Sequence, residues 1–170
     1  MERTFLSLAT GIGGFELAAR LAQKNYTPVA FCEKDPNCQQ LLRKRFGNVP
    51  IFPDLKTLKA VDLAQHNLFP QGIVAGLPCQ PFSEAGKQKG TADSRNLFPH
   101  FLRLFRSIRP QWAIIENVPG LLTTESGRVF QSFLWKISQI GGYEVRWQTI
   151  SCAKIGGCHK RERLWVFITK

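Results

Sequence analysis

The stretch TFLSLATGIGGF, residues 4–15, narrows the folds open to this chain more than any other. Thr4 to Leu8 reads as a strand, Thr10-Gly11-Ile12-Gly13-Gly14 as a glycine-rich turn, and Phe15 to Ala22 has helical composition. Strand, glycine turn and helix in that order open nucleotide-binding α/β domains. The turn lets a ligand approach the backbone where a Cβ would collide. Glycine turns also serve packing alone, so the turn needs support from the rest of the chain.

Val29 to Cys32 reads as a second strand with Glu33 at its end. Glu33 lies 20 residues after Gly13, where an acid meets ribose hydroxyls. The dinucleotide fingerprint then fails: three residues after Gly13 stands Glu16, not glycine. A pyrophosphate at that helix start would meet a carboxylate. A ligand with a ribose and no phosphate is the more natural tenant. S-adenosylmethionine is such a ligand, and its sulfonium and ammonium tolerate acidic neighbours.

The alternation of strand and helix continues. Pro36 to Phe46 reads as a helix, with Pro36 at an allowed first position and the Arg43-Lys44-Arg45 end favoured by the helix dipole. Asp54 follows the apolar pair Ile51-Phe52; it either bonds an adenine amino group or caps the turn. Leu58 to Gln65 is helical in pattern, and His66 and His100 have no evident partners. Asn96 to Ile108 is an amphipathic helix, Trp112 to Ile115 a buried strand and Arg128 to Ile140 a further helix. Tyr143 to Ser151 and Arg163 to Thr169 read as two closing strands. If Arg161 and Arg163 enter the last of these, they point to one face.

Two strand ends carry reactive side chains. Ile73-Val74-Ala75 runs into GLPCQPFS, residues 76–83, where Pro78 ends the strand for want of a donor. Cys79 stands between Pro78 and Pro81, on backbone that both rings stiffen. A thiol held this way suits nucleophilic attack, though a free cysteine is also a common small core residue. The strand at Trp112 ends in Glu116-Asn117-Val118-Pro119, so Glu116 also marks a strand's carboxyl end, where open α/β sheets bind ligands. After Cys79, residues 84–94 have the composition of a mobile loop, with Gly86 and Gly90 flanking Lys87-Gln88-Lys89 in a way that suits a lid over a phosphate backbone.

Composition agrees with a polyanion partner. The 23 Lys and Arg against 12 Asp and Glu leave a net charge of +11 on 170 residues. Solubility alone would also account for such an excess. No apolar run approaches the ~20 residues of a membrane span, and no signal peptide opens the chain. Five cysteines without framework spacing point to a reducing, cytoplasmic compartment. Cys32/Cys38 and Cys152/Cys158 lack zinc spacing, so no metal is expected. Without repeat or linker, residues 1–170 read as one domain.

At this point the ordered motifs closely resemble the cytosine-5 DNA methyltransferases over nearly the whole chain. SLATGIGGF (7–15) looks like their cofactor turn, Glu33 like the ribose-binding acid, and GLPCQPFS (76–83) like the catalytic-cysteine motif. GKQKGTADSRNLF (86–98) resembles the catalytic loop with its helix, ENV (116–118) the acidic motif, and HKRER (159–163) the paired-arginine motif. The resemblance implies a Rossmann-like, S-adenosylmethionine-dependent methyltransferase fold: a mostly parallel sheet closed by an antiparallel hairpin, with helices on both faces. It implies that Cys79 attacks carbon 6 of a flipped cytosine, that Glu116 serves ring nitrogen 3, and that Arg161 and Arg163 orient the base. It places Gly11, Ile12, Gly13, Glu33, Asp54, Pro78 and Leu97 around S-adenosyl-L-methionine, and Ser83, Lys87 and Lys89 on DNA phosphates. A restriction-modification role in a prokaryotic or phage-like setting, near the nucleoid, follows by the same resemblance.

Three departures stand out. Ala9 occupies a position where the family usually has Phe against the adenine, a loss of about 1 kcal/mol or more. His159 stands where Gln is common, and both donate a hydrogen bond. The family's target-recognition region and last motifs do not follow Lys170. The expectation is a catalytic half that depends on a second polypeptide, or whose bare apolar surface self-associates. The rivals are a nicotinamide-dependent oxidoreductase, against which Glu16 and the Cys79/Glu116 pairing argue, a methyltransferase acting on transfer RNA, and a DNA- or cofactor-binding remnant without turnover.

Overall fold

The structure is a computed structural model and describes residues 3–22, 25–78 and 96–170. Its frame is a seven-stranded sheet. The strands are β1 (Arg3–Leu8), β2 (Tyr26–Cys32), β3 (Ile51–Phe52), β4 (Gly72–Gly76), β5 (Trp112–Asn117), β6 (Glu144–Ser151) and β7 (Glu162–Thr169), in the spatial order β3-β2-β1-β4-β5-β7-β6. Strands β1 to β5 pair in parallel, and β7 inserts antiparallel between β5 and β6. The order reverses direction beside β1, so the connections leaving the carboxyl ends of β1 and β4 run apart, the place where open α/β sheets form a crevice.

Helices α1 (Gly14–Leu21), α2 (Pro36–Phe46), α3 (Ala60–Gln65), α4 (Phe98–Ile108) and α5 (Arg128–Ile140) link the strands. Alternation along each strand sends side chains to opposite faces. On one face Leu6, Ile73, Ile115 and Val166 join Phe101 and Phe105 of α4 and Phe133 and Ile137 of α5 in one core. Each such fully buried side chain contributes about 1.5–3 kcal/mol. On the other face Phe31 meets Phe46 of α2, their ring centroids 5.4 Å apart. Among the described residues, cover on that second face reaches as far as Val74 of β4, which is buried. Across β5 and β7, Ile114 and Trp165 stay half-buried and Phe167 exposed among the described residues.

Most boundaries follow the sequence pattern within two residues, and two of the departures have a plain physical reason. Strand β2 begins at Tyr26 rather than Val29, because the ladder absorbs Pro28 in a bulge: Phe5 pairs with Pro28 and Leu6 with Ala30, leaving Val29 over. Helix α4 begins at Phe98 rather than Asn96, whose side-chain oxygen instead accepts from the Phe98 N–H at 3.0 Å. Arg161 lies just before β7, and Glu116 falls inside β5. Among the described residues no helix is long and apolar enough to cross a membrane.

Candidate active site

The glycine turn is tied down from three sides. Thr10 is buried; its hydroxyl donates to the Ser7 carbonyl at 3.0 Å, and its N–H reaches the Cys32 carbonyl. Gly11 N–H donates to Glu33 Oε2 at 2.6 Å, and Arg45 of α2 donates to the Ile12 carbonyl at 2.8 Å. Gly11 and Gly13 hold φ of 57° and 86°, left-handed values that favour glycine, and Ala9 adopts 48°. Beside Gly11 the direction a Cβ would take is empty within 4 Å among the described residues, whereas at Gly13 it would stand 2.7 Å from Phe46 Cε2. One glycine faces open space and the other makes room for α2.

Glu33 closes this corner. One carboxylate oxygen takes the Gly11 N–H and the other the Asp35 N–H at 2.8 Å, while Gln39 holds the Glu33 carbonyl at 2.7 Å. Each oxygen keeps a lone pair for a hydroxyl donor. Asp54, by contrast, caps its own turn, accepting from Lys56 N–H at 2.9 Å, and lies 3.7 Å from Lys34 Nζ.

Glu16 corrects one expectation. It does not face a ligand at the helix start; it turns beneath α1, 3% exposed, toward Ser7. Burial pushes its carboxyl above the usual range, and the nearby Ser7 hydroxyl draws it only partly back. Neither Ser7 Oγ nor either Glu16 oxygen meets ordinary hydrogen-bond geometry with a partner among the described residues. The missing third glycine therefore says little about phosphate.

The second half of the site grows from the β4–β5–β7 ladder. Gly76 is in register with Glu116, and Glu116 with Trp165. A Cβ on Gly76 would stand 3.3 Å from the Ala9 carbonyl and 3.9 Å from Glu116 Oε2, so the glycine keeps turn and carboxylate close. Arg163 Nε donates to Glu116 Oε1 at 2.6 Å. The two side chains are 23% and 27% exposed, sheltered enough that water screens the pair only in part. Asn117, buried behind Glu116, donates to the Leu77 carbonyl at 3.4 Å and accepts from Val118 N–H at 2.9 Å, joining the ends of β4 and β5.

A cavity of about 710 Å³ connects these parts. Gly11 and Ile12 of the turn line it together with Glu116, Arg161 and Arg163, and Phe15, Ile114, Trp165 and Phe167 add apolar surface. Of the expected residues it thus gathers Gly11, Ile12, Glu116, Arg161 and Arg163, with Glu33 joined through Gly11. Gly13, Asp54, Pro78 and Leu97 do not line it; Leu97 packs against the core. Cys79, Ser83, Lys87 and Lys89 lie outside the described residues. Thr10, Gly76 and Asn117 were missed as site residues. The signal for Asn117 was a second polar side chain directly after Glu116 where an apolar strand ends; Gly76 and Thr10 gave none without partners in space.

Chemically, the arrangement offers a carboxylate corner for vicinal hydroxyls, an apolar wall, and a carboxylate–guanidinium pair that can meet a planar polar ring. A family model described as C-5 cytosine-specific DNA methylase matches residues 3–170. The type II methyltransferase M.DsaV of Dactylococcopsis salina is 32% identical over 163 residues, 95% of this chain and 44% of that protein. M.NgoBI of Neisseria gonorrhoeae is 33% identical over 162 residues, 95% of this chain and 49% of its own length. The chain thus spans about half the length of these relatives. In fold it is similar to the Entamoeba histolytica methyltransferase EhMeth, with TM-score 0.80 at 21% identity over 99% of this chain and 53% of that one. By the match along nearly its whole length, the chain belongs to the C-5 cytosine-specific DNA methylase family.

Proposed function

We propose that this chain carries the chemical half of a DNA (cytosine-5-)-methyltransferase of restriction-modification type, working as one catalytic domain in the cytoplasm. The observation that carries the reading is the Glu116–Arg163 pair at the carboxyl edge, in register with the strand that leads to Cys79.

The target cytosine leaves the duplex, since its reacting edge is closed off in the stack. Cys79, as thiolate, adds to carbon 6, forming the carbon–sulfur bond. Glu116 serves ring nitrogen 3, so that negative charge does not build up on the ring. Arg163 already holds one Glu116 oxygen and orients the carboxyl toward the base, with Arg161 beside it on the same cavity wall. S-adenosyl-L-methionine fits the turn, because Glu33 keeps acceptors free for ribose hydroxyls beside the open side of Gly11. When bound it supplies the methyl group that carbon 5 takes. Loss of the carbon-5 proton to a base then expels the Cys79 thiolate. Ser83, Lys87 and Lys89 contact phosphate and give affinity without sequence information.

Target recognition rests on polypeptide beyond the residues present here, in the same or a second chain. The half-open wall of Ile114, Trp165 and Phe167 is the surface that such polypeptide would cover.

A covalent trap tests the reading. A duplex with 5-fluorocytosine has no carbon-5 proton to lose and should form a stable adduct with the chain in the presence of S-adenosylmethionine. Cys79→Ser should abolish it. A parallel 5-fluorocytosine RNA separates the DNA reading from the transfer-RNA one. Absence of any adduct, with the fold intact by circular dichroism, would overturn the proposal.

A further inference from the structure

The turn between β6 and β7 sits on the same sheet edge as the Glu116–Arg163 pair, and its two lysines have no part in the chemistry above. Four stand within ten residues, Lys154, Lys160, Arg161 and Arg163, against the single acid Glu162. Arg163 is engaged with Glu116, whereas Lys154, Lys160 and Arg161 have no ion pair among the described residues. Lys154 and Lys160 are exposed, on either side of cavity-lining Ile155 and His159.

A run of lysines is often only a solvated face. Here the backbone beneath them is fixed. Cys152 N–H donates to the Arg161 carbonyl and Gly157 N–H to the Cys152 carbonyl, both at 2.9 Å. Ser151 Oγ accepts from Lys154 N–H at 3.3 Å, and Arg161 N–H reaches His159 Nδ1 at 3.4 Å. The short 3-10 turn Cys152–Ile155 and the left-handed Gly156, φ 88°, close this loop upon itself. Cations on a preformed backbone lose less freedom on meeting an anion than cations on a floppy one.

We propose that Lys154 and Lys160 form a phosphate-binding rail on the β6–β7 turn, which seats the nucleic-acid backbone beside the catalytic pair. The inference rests on the nucleic-acid reading above. The rail contributes no base contact, so it sets affinity and orientation rather than target choice. Each lysine that neutralises a phosphate releases counterions and steepens the salt dependence of binding.

The test is anisotropy of a fluorescein-labelled duplex titrated with the 170-residue chain over a range of sodium chloride concentrations. Lys154→Ala and Lys160→Ala should each lower the slope of log K against log salt by about 1, and the double variant by about 2. The loss should be equal on unrelated sequences, and Lys160→Arg should restore the slope. Lys136→Ala, exposed on α5 against the other face of the sheet, should keep the wild-type slope. A double variant with the wild-type slope would overturn the rail, and if that variant still forms the 5-fluorocytosine adduct, the DNA reading survives without it. Should the wild-type chain bind duplex DNA with no salt dependence and form no adduct, both fall together.

Discussion

Glu116 and Arg163 meet across the antiparallel β5–β7 ladder, Nε to Oε1 2.6 Å apart, although 47 positions separate them in sequence. The carboxylate comes from a parallel strand and the guanidinium from the strand that runs against it. The pair can form only because β7 lies beside β5 and β6 does not.

That arrangement makes Arg163 a positioning residue for Glu116. Arg163→Ala should lower single-turnover methyl transfer by about 10²-fold, the usual effect of removing one aimed donor. Arg163→Lys should recover little, since a point charge does not reproduce the planar fork. The check is rapid-quench transfer from labelled S-adenosylmethionine, with cofactor affinity measured alongside. An unchanged rate in Arg163→Ala would remove the pair from the mechanism.

Gly11 and Gly13 should separate stability from binding. Gly13→Ala sets a methyl 2.7 Å from Phe46 at φ 86° and should lose about 1–3 kcal/mol in urea unfolding. Gly11→Ala has room, and its strain at φ 57° is about 1 kcal/mol. Its new methyl projects into the open side of the turn, so its larger effect should be on cofactor affinity, read by calorimetry.

Glu16 should leave a pH signature on stability. Its folded-state pKa is raised by burial, so the folded chain holds this proton more tightly than the unfolded one. The resulting stability is fully present below the unfolded value, near ~4.3, and is lost as pH rises through the folded value. Glu16→Gln removes that slope. Urea midpoints from acid to neutral pH should show the difference between variant and wild type growing in favour of Gln as pH rises; parallel curves would show that Glu16 ionises freely.

The thiols should react unequally. Cys32 is buried, and desolvation, with Asp54 and Glu33 adding to it, pushes its thiol up to about 12. It should stay unmodified by iodoacetamide in the native chain, while exposed Cys158 is alkylated early. Peptide mass spectrometry after short exposure reads the order directly.

The legible part of this molecule was the part written in local pattern. Helices Pro36–Phe46 and Arg128–Ile140 follow from a proline start and apolar spacing, and the place of Glu33 and Glu116 at the carboxyl edge of the sheet follows from where apolar runs stop. What stayed hidden depends on partners far along the chain. The insertion of β7 between β5 and β6 leaves no local mark. Nor does the bulge at Val29, which depends on what β1 needs opposite Pro28. Glu16 misled because a sequence shows which residue follows a turn and not which way it leans. Asn117 was visible only as one letter of a motif; its bond to the Leu77 carbonyl needed the sheet.

The sheet's last two places fill in the reverse of their order of synthesis. A ribosome that has delivered β6 has no neighbour for it, because β7 must come between it and β5. Until residues 162–169 emerge, β5 keeps an unsatisfied flank and Glu116 has no guanidinium to meet. The unfinished nascent chain therefore combines an aggregation hazard with an incompetent centre, and the same eight residues relieve both at once.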